Sequence, residues 1–165
     1  MKLWLVRHAK SDWNSHARSD FERPLNRRGE RDGPAMAAWL AGQADPATWI
    51  WTSDAVRARA TTDFVAVGFA AADPQVVAEH GLYGATPETL LDVLRGTPAD
   101  VHSAAVVAHN PGLTELLNLL AGEHLSDNLP TFGVARLEVP GPWATLAFGQ
   151  ARVELLTSPK RLGTL

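Results

Sequence analysis

The 165-residue sequence contains no cysteine. This absence excludes disulfide bonds, a thiolate nucleophile and Cys-ligated zinc or iron–sulfur sites. The sequence also lacks a strong charge bias, because its formal net charge is -3 and its arginines are scattered among acidic residues. Such a balance does not favour binding to nucleic acid or to an anionic membrane surface.

Long apolar runs are missing as well. The run Leu3–Val6 that precedes Arg7 is too short for the core of a signal peptide, and no later run reaches membrane-spanning length. We therefore expect a soluble, cytoplasmic protein. The length of the chain predicts that residues 1–165 form one domain, which buries its apolar side chains without covalent cross-links.

The sequence does contain an alternation of two kinds of segment: short β-branched or aromatic runs, and longer runs with apolar residues three and four positions apart. Strands are predicted at Leu3–Arg7, Thr48–Thr52, Gln75–Ala78, Ala104–Ala108, Val134–Val139 and Ala144–Gly149, and helices at Arg27–Ala41, Asp54–Gly68, Pro87–Arg95 and Pro111–Ala121. This order predicts a three-layer α/β/α sandwich with a mostly parallel central sheet. The last two strands, separated by Pro-Gly-Pro, are expected to form an antiparallel hairpin at the C-terminal edge.

Local residues refine the predicted helix ends. Ser53 is expected to cap the second helix, with Asp54 in its first turn. Asn110 precedes Pro111, which we expect at the first helical position. Pro34 lies inside the first predicted helix and indicates either a later start or a kink.

Polar side chains stand at the carboxyl ends of three of the predicted strands, where ligands of open parallel sheets bind. The first strand ends in Arg7 and is followed by His8, the second ends in Thr52 and is followed by Ser53, and the fourth is followed by His109 and Asn110. Arg57 lies one turn into the next helix, so its side chain is expected to lean back toward the same edge. Two guanidinium groups beside helix N-termini suit a phosphoryl group, although each arginine taken singly is also compatible with a surface charge.

His8 is the candidate nucleophile. Positive charge nearby opposes protonation of its ring, and a neutral imidazole can attack phosphorus to form a covalent intermediate. A hydrogen-bonded structural histidine is the alternative. His109 offers a second imidazole that can donate to the phosphoryl oxygens. The remaining histidines show no HxH or HExxH spacing, so we expect no catalytic metal and no cofactor.

Four segments share the motifs of a known family. LVRHAKSDWN at 5–14 resembles the RHG motif and following Asn of the histidine phosphatase superfamily, and RPLNRRG at 23–29, TSDAVRARAT at 52–61 and VVAHNPG at 106–112 resemble its later motifs in the same order. The resemblance covers nearly the whole chain and is strongest to the short phosphohistidine phosphatases of the SixA type. It implies the phosphoglycerate-mutase-like fold.

The resemblance also implies roles for particular residues. His8 would become phosphorylated, Arg7, Arg57 and His109 would complete the phosphate pocket, and Asn14 would help to line it. In the family a carboxylic acid after the third strand often protonates the leaving oxygen, which implies Glu79, with Glu88 as a weaker candidate. Three positions depart from the family pattern: Ala9 replaces a glycine, Asp54 a proline and Ala60 a glutamine.

The short segments after the predicted strands leave little chain for a lid, so we expect an open pocket. Trp13 would form one wall of its entrance, or else pack as an ordinary aromatic side chain. The expected activity is metal-independent hydrolysis through phospho-His8, with phosphohistidine of a signalling protein as the preferred substrate. A broad small-molecule phosphomonoesterase and a non-catalytic phosphoprotein-binding module are the alternatives, and the sequence leaves the oligomeric state open.

Overall fold

A computed structural model describes residues 1–163 of the chain. Its strands are β1 (Lys2–Arg7), β2 (Trp49–Thr52), β3 (Gln75–Ala78), β4 (Ser103–Ala108), β5 (Val134–Glu138) and β6 (Arg152–Thr157). Its helices are α1 (Arg27–Ala41), α2 (Val56–Gly68), α3 (Pro87–Arg95) and α4 (Gly112–Ala121), with short 3-10 turns between some of these elements. Among residues 1–163, no helix has both the length and the apolar character needed to cross a membrane.

The six strands form one sheet in the order β3-β2-β4-β1-β5-β6. The neighbours β3, β2, β4 and β1 pair in parallel, whereas β5 pairs antiparallel with β1 and β6 antiparallel with β5. The register places Arg7 beside Ala108 and Thr52 beside Val107. The carboxyl ends of β1, β2 and β4 therefore lie at one edge of the sheet, as the sequence predicts.

Apolar side chains cover both faces of the sheet, which agrees with the continuous apolar runs of β1 and β4. Leu3 and Leu5 of β1 belong to a core cluster that contains the buried leucines of α3 and α4. Trp4 and Val6 point to the other face, where they belong to a cluster containing buried residues of α1 and α2. The helices thus form two outer layers around the sheet, and the predicted three-layer arrangement is confirmed.

The predicted sixth strand, Ala144–Gly149, is wrong. A 3-10 turn occupies Trp143–Thr145, where the Trp143 indole is buried and donates to the carbonyl of Val101 at 2.7 Å. The antiparallel partner of β5 is instead Arg152–Thr157. The charged residues of this strand obscure its pattern in the sequence. Glu154 accepts a 2.7 Å hydrogen bond from Lys2 of β1 and pairs with Arg136 of β5.

Two helix starts also differ from the predictions. Helix α2 begins at Val56 rather than Asp54, and its cap position is Ala55 rather than Ser53. The Ser53 hydroxyl contacts Ala55 N–H and His109, and no side chain caps the helix. Pro111 occupies the cap position of α4 rather than its first turn. Helix α1 starts at Arg27 as predicted and accommodates Pro34 without ending there.

Candidate active site

A pocket of about 270 Å³ opens at the carboxyl edge of the central strands. Its lining includes six residues singled out from the sequence: Arg7, His8, Trp13, Arg57, His109 and Asn110. Because β1 and β4 are neighbours in register, the rings of His8 and His109 lie side by side, with centroids 5.1 Å apart.

The hydrogen bonds of His8 define which of its nitrogens is free. Its Nδ1 lies 2.8 Å from the carbonyl oxygen of Ala9, which can only accept, so Nδ1 carries the proton. Burial lowers the pKa of His8 to about 3, with smaller contributions in the same direction from interaction with His109 and from the positive charges of Arg57 and Arg7. The ring is therefore neutral near pH 7, and Nε2 keeps its lone pair.

Ala9 fits the position where the family pattern has glycine. It is fully buried and is not among the residues with positive φ, so its backbone does not require glycine. Its N–H donates at 2.8 Å to Thr61 Oγ1, and the Thr61 hydroxyl donates at 2.8 Å to the carbonyl of Arg57. Thr61 therefore ties the loop after β1 to α2, a link that sequence reasoning missed.

His109 is oriented by Ser53. The Ser53 hydroxyl oxygen accepts from the N–H of Ala55 at 3.2 Å and lies 2.8 Å from His109 Nε2. If Ser53 donates its own proton to Nε2, the His109 proton resides on Nδ1. Burial and the nearby Arg57 lower the pKa of His109 to about 4, which keeps this ring neutral as well.

Arg57 is buried and is held at one end of its guanidinium group by Asp20. Its Nη1 donates to the main-chain carbonyl of Asp20 at 2.6 Å and its Nη2 to the Asp20 carboxylate at 2.9 Å. Arg7 donates from Nη1 to the carbonyl of Leu129 at 2.9 Å.

Three buried nitrogens of the pocket residues have no hydrogen-bond partner within residues 1–163: Arg7 Nε, Arg57 Nε and His109 Nδ1. Leaving a buried donor unpaired costs about 1–3 kcal/mol. All three nitrogens belong to residues that line the pocket, and an acceptor oxygen is the kind of partner that each of them lacks.

Asp20 is a pocket residue that the sequence reasoning missed. Its carboxylate accepts from the Tyr83 hydroxyl at 2.6 Å and from Arg23 Nε at 3.0 Å, in addition to Arg57. The Tyr83 hydrogen bond, with those from Arg23 and Arg57, holds the pKa of Asp20 well below its usual range. Asp20 is therefore an anion at neutral pH.

Trp13 forms part of the pocket entrance. Its side chain is 71% exposed, and the Arg23 guanidinium carbon lies 3.5 Å from the centre of its ring. Asn110 lines the pocket and also fixes neighbouring segments, since it donates to the carbonyl of Leu129 at 2.9 Å and accepts from the Thr114 hydroxyl at 2.7 Å.

Three predicted site residues are not among those that line the pocket. Ser53 is fully buried and contacts His109 rather than the pocket. Glu79 follows β3 and is half-buried outside the pocket, and Asn14 is exposed, with its N–H bonded to Asp12 at 2.7 Å. The pocket instead contains Lys10, Ser11, Asp20, Arg23 and Thr131. Of these, Arg23 lies in the RPLNRRG segment already noted, and Asp20 is three residues before Arg23.

The charge of the pocket comes from side chains. Within the described part of the chain, no group of three metal-ligating side chains lies close enough together to hold a metal ion. Arg7, Lys10, Arg23 and Arg57 supply the positive groups that face the pocket.

The family model of the histidine phosphatase superfamily (branch 1) matches residues 3–82. MT1313 of Mycobacterium tuberculosis, a protein of uncharacterized function, is 32% identical over 155 residues, which cover 88% of this chain and 94% of that protein. Two solved structures are similar throughout. The proposed phosphohistidine phosphatase SixA from Nakamurella multipartitia has a TM-score of 0.83 and 27% identity, covering 96% of this chain and 95% of that one. Its counterpart from Agrobacterium tumefaciens has a TM-score of 0.81 and 28% identity, covering 96% and 97%.

The fold and the matched motifs define the class of protein as a phosphatase with a phosphoglycerate-mutase-like fold. The chain belongs to the histidine phosphatase superfamily.

Proposed function

We propose that the protein hydrolyses phosphorylated substrates through a phospho-His8 intermediate and without a metal ion. The observation that carries this proposal is that Arg7, Arg57 and His109 line the same pocket as a neutral His8. A phosphoryl group supplies three acceptor oxygens, which match donors of this kind in number and charge.

In the first step the Nε2 lone pair of His8 attacks phosphorus, and the bond between phosphorus and the leaving group breaks with its electron pair going to that group. The His8 proton stays on Nδ1, where the Ala9 carbonyl accepts it. In the second step water attacks phosphorus, the P–N bond breaks, and its electrons return to Nε2. The water proton leaves with the phosphate product, so His8 is restored.

Arg7 and Arg57 neutralise the phosphoryl oxygens as charge moves onto them, and His109 donates from Nδ1. These guanidinium groups supply the positive charge that a metal ion supplies in other phosphatases. The proposal gives no role to Glu79 or Asn14, because neither lines the pocket.

The preferred substrate is phosphohistidine of a protein. Asp20 is ionised and cannot protonate a leaving oxygen at neutral pH, and Glu79 lies outside the pocket. Alkyl phosphate esters depend on such a proton, whereas a phosphoimidazole leaves readily through a ring nitrogen. The similarity to two proposed SixA phosphohistidine phosphatases supports the same assignment.

The test of the mechanism is hydrolysis of p-nitrophenyl phosphate in excess EDTA by the wild type and by His8→Ala. We expect turnover in the wild type, an acid-labile and alkali-stable phosphoenzyme on rapid quenching, and neither in the variant. His124→Ala, which removes an exposed histidine paired with Asp127, is the matched control and should retain activity. Loss of wild-type turnover in EDTA, or activity that survives in His8→Ala, would overturn the mechanism.

The substrate assignment is tested by comparing kcat/KM for a histidine-phosphorylated protein with a panel of sugar, serine and aryl phosphates. A clear preference for the phosphorylated protein supports it. Equal or better turnover of alkyl phosphates would favour a small-molecule phosphomonoesterase, and tight binding without turnover would favour a phosphoprotein-binding module.

A further inference from the structure

The pocket contains one anion among its cations. Of the pocket-lining residues in the described chain, four are arginine or lysine and only Asp20 carries a carboxylate. The Asp20 carboxylate holds Arg57 and Arg23 in place, and it also brings a negative charge into a pocket that is otherwise positive.

Asp20 bonds to only one end of the Arg57 guanidinium group. Asp20 accepts from Nη1 and Nη2, which form the end of the guanidinium fork. Arg57 Nε lies on the side of the group and has no partner among residues 1–163. Asp20 therefore leaves one donor of the guanidinium group unused, and both residues line the same pocket.

Asp20 also retains acceptor capacity. A carboxylate offers about four lone-pair sites. Within the described chain three are used: Oδ1 accepts from Arg23, and Oδ2 accepts from Arg57 and Tyr83. The fourth site is on Oδ1, and the Asp20 side chain is 47% exposed and lines the pocket, so a group that enters the pocket can approach this carboxylate.

We propose that the Asp20 carboxylate binds the protonated leaving group of the substrate, an imidazolium ring whose distal N–H donates to Oδ1, and thereby selects phosphohistidine over phosphate esters. This inference rests on the proposed function and specifies how the same site recognises its substrate. Aryl and alkyl esters carry no such cation, and the oxyanion that they release is repelled by a carboxylate.

The reaction balances without a proton from the protein. The substrate ring enters protonated on its distal nitrogen and phosphorylated on the other. As His8 Nε2 forms its bond to phosphorus, the P–N bond of the substrate breaks and its electron pair remains on the leaving nitrogen. The product is a neutral imidazole that still carries its distal proton, while the positive charge moves to the phospho-His8 ring.

The test compares Asp20→Asn with the wild type on two substrates, free phosphohistidine and p-nitrophenyl phosphate. The substitution keeps the size of the side chain and removes the charge. The substitution weakens the contacts to Arg57, which matter for both substrates. The informative quantity is therefore kcat/KM for phosphohistidine divided by kcat/KM for p-nitrophenyl phosphate. We expect this ratio to fall by about tenfold or more, equivalent to about 1.4 kcal/mol of differential transition-state binding.

Tyr83→Phe is the matched control, because it removes one hydrogen bond to Asp20 but leaves the carboxylate in place. Its ratio should stay close to that of the wild type, and Asp20→Glu should retain most of the preference. Thermal unfolding of each variant verifies that it folds. Because Asp20 lies in a loop and its side chain is 47% exposed, we expect substitutions there to be tolerated.

An unchanged ratio in Asp20→Asn, or a larger loss on p-nitrophenyl phosphate, would overturn the role of Asp20. If the phosphoenzyme still forms in that case, the proposed function stands and only this inference fails. Absence of a phosphoenzyme in the wild type would instead contradict the proposed function.

Discussion

His8 Nδ1 lies 2.8 Å from the carbonyl oxygen of the next residue, Ala9. A carbonyl has no proton to give, so this contact fixes the tautomer of His8 and directs the lone pair of Nε2 away from the backbone. The same bond serves the proposed intermediate, because phosphorylation of Nε2 makes the ring a cation whose remaining N–H already has an acceptor.

Replacement of Arg57 by lysine should cost about a hundredfold or more in kcat. Lysine retains the charge, but its single ammonium group cannot reproduce the planar fork that holds both contacts to Asp20. Steady-state kinetics with p-nitrophenyl phosphate measures the loss.

Arg59→Lys is the control for that experiment, since Arg59 is exposed on the same helix. It should behave as the wild type. Equal effects of the two substitutions would argue against a specific role for the Arg57 fork.

Ser53→Ala should reduce kcat by about tenfold with little change in KM. The substitution removes the 2.8 Å contact to His109 Nε2, and a hydrogen bond of about 1.4 kcal/mol corresponds to that factor. Without Ser53 the proton of His109 is free to reside on Nε2, which leaves Nδ1 with nothing to donate. Ser53→Thr, which restores a hydroxyl, should recover activity; failure of this rescue would count against a role in orienting His109.

The stability of the protein should decrease as the pH falls from 6.5 toward 4. The folded-state pKa values of His8 and His109 are lowered to about 3 and about 4, so in this window the unfolded chain binds protons at these positions and the native chain does not. Each histidine contributes about 1.5 kcal/mol of this loss between pH 6.5 and pH 5.

Urea unfolding of the wild type and of His8→Asn at pH 6.5 and pH 5 measures this contribution. The variant should lose less stability on acidification than the wild type. An identical pH dependence would show that the folded-state pKa of His8 is not depressed.

Trp13→Ala should raise KM for a phosphorylated protein about two- to fivefold and leave kcat unchanged. Trp13 is exposed at the pocket entrance and packs against Arg23, where an exposed cation–π contact is worth about 0.5–1 kcal/mol. A small substrate such as p-nitrophenyl phosphate provides the comparison. A fall in kcat for both substrates would indicate that Trp13 acts on the chemistry instead.

Most of the fold follows from local patterns in the sequence. The runs LWLV and AAVV are apolar at every position, because both faces of β1 and β4 are covered, and this signal is independent of distant residues. Strand β6 gives no such signal, because it lies at the sheet edge and Arg152 and Glu154 are paired with charges on β1 and β5. Those partners are visible only once the strands are aligned.

The site residues also divide into those that local sequence predicts and those that depend on contacts between distant residues. His8 and His109 are predictable because each follows a strand directly. Asp20 belongs to an irregular loop, and its contacts to Arg57 and Tyr83 join residues 37 and 63 positions away in the sequence. No periodicity marks such a residue. The family resemblance implies that Glu79 acts in the pocket. Glu79 follows the edge strand β3, which β2 and β4 separate from β1 and His8.

The strand order has a consequence for how this molecule can diversify. The two histidines follow the adjacent strands β1 and β4, and Arg57 follows β2, while β3 and β6 close the two edges of the sheet. Insertions in the connections at those edges can therefore add new recognition surfaces without altering the register that aligns the two imidazoles. Substrate specificity can therefore change at the outer strands, while the inner strands keep the catalytic side chains in the same arrangement.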